Sequence, residues 1–251
     1  MINMIRADFY RIVKGRTLMS CLLLTVGWVF LCAYARMATI SLRETLSGSE
    51  IVIDYWNSFF NYYPVVFPIS IFCTCFASAD FRQKTIKGYV SKGISKWTYY
   101  LSKLICCWLI VLLFLSVAFL VGIGCGRILF QVPLAEITSV WKFGIYLLCQ
   151  WLFHASVITL EISVAFLVRN SVAAMAVNLS IVFFGTFLLF TLEDVLGMGD
   201  VLSFFWAYSN ICKTTIGSAV QLLPVAIISF FGYLLILGGL TMTHLVRKDI
   251  G

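Results

Sequence analysis

Between Lys103 and Arg127 no Lys, Arg, Asp or Glu interrupts the chain. The same holds for 17–35, 61–79, 172–192 and 224–245. A helix needs about 20 apolar residues to cross the ~30 Å hydrocarbon core of a bilayer. Uncharged runs of that length, punctuated by charge, exclude most soluble folds. Composition agrees: 61% of residues are hydrophobic, 12% are charged and the mean hydropathy is +0.99. A soluble domain carries roughly 25% charged residues. The chain reads as an all-α polytopic membrane protein forming one transmembrane domain over 1–251.

The expected order is as follows. Residues 1–16 form an amphipathic interfacial helix, with Ile2, Ile5, Phe9, Ile12 and Val13 apolar and Arg6, Asp8, Arg11 and Lys14 polar. Span one, 17–35, is retained rather than cleaved. A polar loop, 36–54, leads to span two at 61–79, where Pro64 and Pro68 remove backbone donors near its start. Span three covers 104–126, with glycine-rich packing at 122–126. Span four, 143–168, turns at Arg169-Asn170-Ser171 into span five, 172–192, as an antiparallel neighbour. Segment 193–223 is too apolar for an exposed loop and too broken for a span. We expect two short helices dipping into the outer leaflet and packed on protein, because lipid-exposed irregular backbone is not viable. Span six covers 224–245.

Six spans put both termini on one side. That side receives Arg6, Arg11, Lys14, Arg16, Arg82, Lys84, Lys87, Lys92, Lys96, Lys103, Arg169, Arg247 and Lys248. The other receives Arg36, Arg43, Arg127, Lys142 and Lys213. The richer side is expected to be cytoplasmic. The net charge of +7 therefore faces lipid head groups rather than nucleic acid.

Little in the chain suggests chemistry. There is no GxxxxGK[ST] phosphate loop. The nine cysteines form no CxxC pair and mostly lie in apolar runs, where Cys acts as a small apolar side chain. With two histidines, a His-rich metal site is excluded, and neither a catalytic constellation nor a cofactor or metal site is expected. Glu161 is the one acid inside a span, and His154 lies seven residues earlier on roughly the same helical face. A proton relay through this pair would make the chain an ATP-independent secondary transporter. The structural alternative, which we favour, is that Glu161 faces the bundle interior and bonds to a neighbouring helix or subunit. A polytopic enzyme, or an immunity protein acting by binding, ranks third.

The most informative stretch is 80–103, which carries Arg82, Lys84, Lys87, Lys92, Lys96 and Lys103 between two spans. Ile86, Val90 and Ile94 form an apolar ridge, Gly88 and Gly93 break it, and Ser95 is an N-cap candidate for span three. Such a segment either docks a soluble protein or lies on anionic lipid.

Asp80-Phe-Arg-Gln-Lys-Thr-Ile-Lys-Gly-Tyr-Val, Gly93-Ile-Ser-Lys96 and Tyr100-Leu-Ser-Lys-Leu-Ile105 resemble the region around the coupling helix of ABC-2 permeases. Asp80 stands where Glu is usual, and Lys84 where Gly is usual. The order of elements is similar to that family along the whole chain. The resemblance implies a half-transporter without its own ATPase. A separate ATPase, in two copies and binding ATP-Mg, would sit beneath 82–96 and be met by Arg82, Lys84, Thr85, Ile86, Lys87, Val90 and Lys92. A second permease chain, identical or homologous, would complete the pathway in a bacterial plasma membrane. Size and pattern resemble permeases for antimicrobial peptides, including bacteriocin and lantibiotic self-protection systems.

Overall fold

The computed structural model describes residues 2–41, 65–82, 88, 93–129, 140–197 and 201–247. Every element among them is helical: α1 (Ile2–Lys14), α2 (Arg16–Ser41), α3 (Val66–Arg82), α4 (Lys96–Leu129), α5 (Val140–Val168), α6 (Ser171–Leu196), α7 (Val201–Phe205), α8 (Ala207–Lys213) and α9 (Ala219–Arg247). Five of them, over Arg16–Ala35, Lys96–Ile128, Trp141–Val168, Ser171–Leu196 and Ala219–Leu245, are long and apolar enough to cross a membrane. The chain is a multi-pass membrane protein. The remaining expected span corresponds to α3, an apolar helix of 17 described residues, about 26 Å at 1.5 Å per residue. The first residues expected in that span, 61–64, lie outside the described part, as do all of residues 42–64.

The bundle is built around α5. It packs against α3, α4, α6, α8 and α9. Within its membrane stretch 72% is buried by the rest of the chain, against 17% for α6 and for α9. The most enclosed helix is also the one richest in buried polar side chains: Gln150, His154, Ser156, Thr159, Glu161 and Ser163. In hydrocarbon, polar groups must be satisfied within the protein, and they join helices where they meet a partner. Here Tyr100 and Ser163 share a 2.9 Å hydrogen bond, the Trp108 indole donates to Thr159 and Gln150 donates to the Ile211 carbonyl. The α6 face bearing Phe183, Phe184, Phe187 and Leu188 is exposed, as lipid contact requires.

The helix boundaries have local causes. Gly15 separates α1 from α2, and a Cβ there would lie 3.0 Å from the Arg11 carbonyl oxygen. The α5–α6 turn has only two residues. Arg169 takes φ 57°, and the Asn170 side chain accepts from the Val172 and Ala173 N–H groups. Gly197 closes α6 in the left-handed conformation at φ 62°. The two short helices expected in 193–223 are α7 and α8. They pack on protein: Ser203, Ala207, Asn210 and Ile211 are buried, and α8 lies against α5.

Three expectations are corrected. Residues 36–41, expected in the polar loop 36–54, continue α2 to Ser41, and the broken segment expected over 193–223 is shorter at both ends, because α6 runs to Leu196 and α9 starts at Ala219. The third concerns α1. In α1, Asp8 is not on the outer polar face. Met4, Asp8 and Ile12 form the buried stripe, one turn apart, while Ile2, Phe9 and Val13 lie on the opposite, exposed side. The helix has two apolar edges, and the one facing the bundle carries the carboxylate. Helical periodicity alone could not choose between them.

Candidate coupling site

Two helix ends flank the basic segment 82–96. α3 finishes at Arg82 and α4 begins at Lys96. Asp80 is fully buried at the first end and Lys103 at the second. The Lys103 ammonium lies 2.8 Å from Asp80 Oδ2 and 2.8 Å from Asp8 Oδ1. The Arg11 guanidinium donates to Asp80 Oδ1 at 2.8 Å and lies 3.7 Å from Asp8 Oδ1. The Tyr99 hydroxyl donates to Asp80 Oδ2 at 2.7 Å, and Ser102 donates to Asp8 Oδ2 at 3.4 Å. The Lys103 ammonium also sits 4.1 Å from the centroid of the Phe76 ring.

Two carboxylates and two cations make the cluster neutral. That matters because a single buried charge costs several kcal/mol that only close pairing repays. The cluster joins three elements: α1 through Asp8 and Arg11, α3 through Asp80, and α4 through Tyr99, Ser102 and Lys103. The cluster thereby ties the end of α3, the start of α4 and α1 to one another.

The α4 end has two further anchors. Ser95 Oγ accepts from the Thr98 N–H at 3.1 Å, the N-cap expected of it. The Lys96 ammonium donates to the Leu245 carbonyl at 2.7 Å, tying α4 to the end of α9. The elements expected on the basic side thus do meet at one end of the bundle. Of the expected contact residues, Arg82 is the last of α3. Lys84, Thr85, Ile86, Lys87, Val90 and Lys92 lie outside the described residues. Gly88, between them, is helical and exposed.

Glu161 occupies a second polar site, in the interior of the bundle, and is fully buried. Ser70 on α3 donates a short hydrogen bond to Oε1. Asn178 on α6 donates to the Glu161 backbone carbonyl at 3.0 Å and to Thr74 Oγ1 at 2.8 Å. Oε2 has no hydrogen-bond partner among the described residues. Glu161 thus faces the bundle and bonds to a neighbouring helix, as in the favoured expectation. It is not joined to His154, whose Nδ1 pairs instead with the Gln150 carbonyl at 2.7 Å.

A family model described as ABC-2 family transporter protein matches residues 9–185. The chain belongs to that family. No curated protein matches it. The ABC-2 match runs from α1 into α6, so it contains Arg11, Asp80, Lys103 and Glu161, with Asp8 one residue outside it. This ABC-2 protein is a membrane component of a transporter, and such permeases generally work with an ABC ATPase.

The sequence reading counted Lys103 among the charges of the basic stretch, at the entry to span three, and missed its pairing. The available signal was a Lys seven residues past the Lys96 that opens the helix, at the edge of an apolar run, with an acid at the matching edge of the preceding span. Ser70, Thr74 and Asn178 were also visible as polar residues inside apolar runs. Their association with Glu161 depends on how α3, α5 and α6 rotate against one another.

Proposed function

We propose that this ABC-2 protein is the membrane-spanning permease subunit of an ABC exporter. It would move an amphipathic peptide, of the bacteriocin or antimicrobial type, or a similar hydrophobic compound, out of the cell or the membrane. ATP hydrolysis would occur on a separate subunit, in two copies, beneath the cytoplasmic segment 82–96. A second permease chain, identical or homologous, would complete the pathway, in a bacterial plasma membrane with both termini inside. Arg82, Lys84, Thr85, Ile86, Lys87, Val90 and Lys92 form the contact with the ATPase.

The observation that carries this reading is the buried Asp8–Arg11–Asp80–Lys103 cluster. A partner pushing on 82–96 needs both of its ends coupled to the spans, and this cluster supplies that coupling. Changing Lys84, Ile86 and Lys87 together to Ala is expected to leave membrane insertion intact and to lower substrate-stimulated ATPase activity in the co-purified complex. Wild-type transport by that variant would defeat the mechanism.

One observation favours a second reading. Glu161 Oε2, without a hydrogen-bond partner among the described residues, is a carboxyl oxygen inside the bundle, as a proton site in an ATP-independent, proton-coupled transporter would require. Transport that ignores ATP, follows a pH gradient and disappears in Glu161→Gln would establish it. Transport that survives Glu161→Gln excludes it.

A further inference from the structure

A cleft of about 550 Å³ lies where the α1–α2 corner meets α3 and the first residue of α6. Its polar end is formed by Arg11, Lys14 and Thr17, and its apolar wall by Leu18, Phe72 and Phe76. From Ala79 to Phe72 that wall descends α3 for about 10 Å at 1.5 Å per residue. One end of the cleft is therefore cationic and the other apolar.

The charges at the polar end are unequally committed. Arg11 already pairs with Asp80 and Asp8. Lys14 is exposed, lies 4.8 Å from the Tyr10 ring centroid, and makes no ion pair among the described residues. Its positive charge is surplus at the cleft. α2 starts at Arg16, and the first-turn N–H groups of a helix have no intrahelical acceptor. Gly15, Thr17 and Leu18 from this start line the cleft. A surplus ammonium, a hydroxyl and a helix N-terminus together favour an oxyanion.

The depth of the site decides which oxyanion. The exposed apolar edge of α1 at Ile2, Phe9 and Val13 suits the membrane surface. The cleft descends from there beside an apolar helix. A volume of this size holds a headgroup and the first carbons of its chains. A small soluble anion would leave the partly exposed Cys75 and Phe76 uncovered.

We propose that this cleft binds the phosphate headgroup of an anionic phospholipid, with the start of its acyl chains along Cys75 and Phe76. The phosphate diester meets Lys14, Thr17 and the start of α2. Through Arg11 the bound lipid adjoins the ion cluster that ties α1 to α3 and α4. Lipid charge is thus sensed at the ends of segment 82–96.

The test uses the full chain in detergent, with phosphatidylglycerol as probe and native mass spectrometry and thermal melting as readouts. Wild-type protein is expected to retain phosphatidylglycerol and to melt higher with it, and to do neither with phosphatidylcholine. Lys14→Ala, an exposed position, is expected to weaken phosphatidylglycerol retention roughly fivefold. Ala79→Phe, which narrows the upper part of the apolar wall and keeps every charge, is expected to weaken it too. Lys142→Ala, exposed on the far side of the bundle, removes the same charge and should change nothing. Equal retention by Lys14→Ala and wild type would overturn the proposal. So would retention of phosphatidylcholine as strong as that of phosphatidylglycerol. An equal melting shift from inorganic phosphate alone would assign the cleft to a free anion and overturn the lipid.

Discussion

Asp80 and Glu161 are both carboxylates removed from water, yet they are accommodated in opposite ways. Asp80 lies at the end of α3, between two cations and a phenol. Glu161 lies deep in α5, and its carboxyl meets a single serine hydroxyl. At the basic end, charge is balanced by charge and joins three separate segments. In the interior, neutral groups make local bonds between adjacent helices. The first arrangement suits a mechanical joint, since ion pairs this closely packed resist separation. The second suits helix registration, with Ser70, Thr74 and Asn178 fixing how α3, α5 and α6 face one another.

The contrast is sharpest if the central cation is removed. Lys103→Met leaves Asp8 and Asp80 buried with only Arg11 between them. It is expected to destabilise the protein by about 3–5 kcal/mol, the typical result of breaking a buried pair from one side. Adding Asp80→Asn should restore part of that loss, because Arg11 then serves Asp8 alone. Denaturation in detergent measures both variants, and a Lys103→Met protein as stable as wild type would show that the cluster holds nothing.

A smaller effect is expected from Tyr99→Phe, which deletes one hydrogen bond to a charged group and leaves both cations in place. The loss should be about 1.5–3 kcal/mol by the same measurement. The smallest effect belongs to the interior site. Glu161→Gln keeps an oxygen for Ser70 and should shift stability by under about 1 kcal/mol. If Glu161→Gln proved as damaging as Lys103→Met, Glu161 would have to be held as an ion, and the contrast between the two sites would collapse.

Much of the architecture was legible in the sequence because hydrocarbon is a severe filter. Runs of uncharged residues mark α2, α4, α6 and α9, but the helices outrun them: α2 passes Arg36, α4 takes in Lys103 and Arg127, and α6 takes in Glu193 and Asp194. Arg169-Asn170-Ser171 was legible as a tight turn because nothing separates two long apolar runs there. Ser95 was legible as a cap from its type and position. The family was legible from the pattern around Asp80, Gly93 and Tyr100, supported by the order of the spans.

The sequence by itself determined that the chain is helical and crosses a membrane repeatedly, since apolar length and backbone hydrogen bonding allow little else in lipid. It also separated the basic segments from the acidic ones along the chain. Only the tertiary structure decided which charges meet. Asp8 and Lys103 are ninety-five residues apart, and their pairing depends on which edge of α1 turns inward and on how α4 rotates beside it. Amphipathic spacing set Ile2, Ile5, Phe9, Ile12 and Val13 apart from Asp8 and the basic residues of α1. Packing turned Met4, Asp8 and Ile12 inward, where Lys103 neutralises the carboxylate.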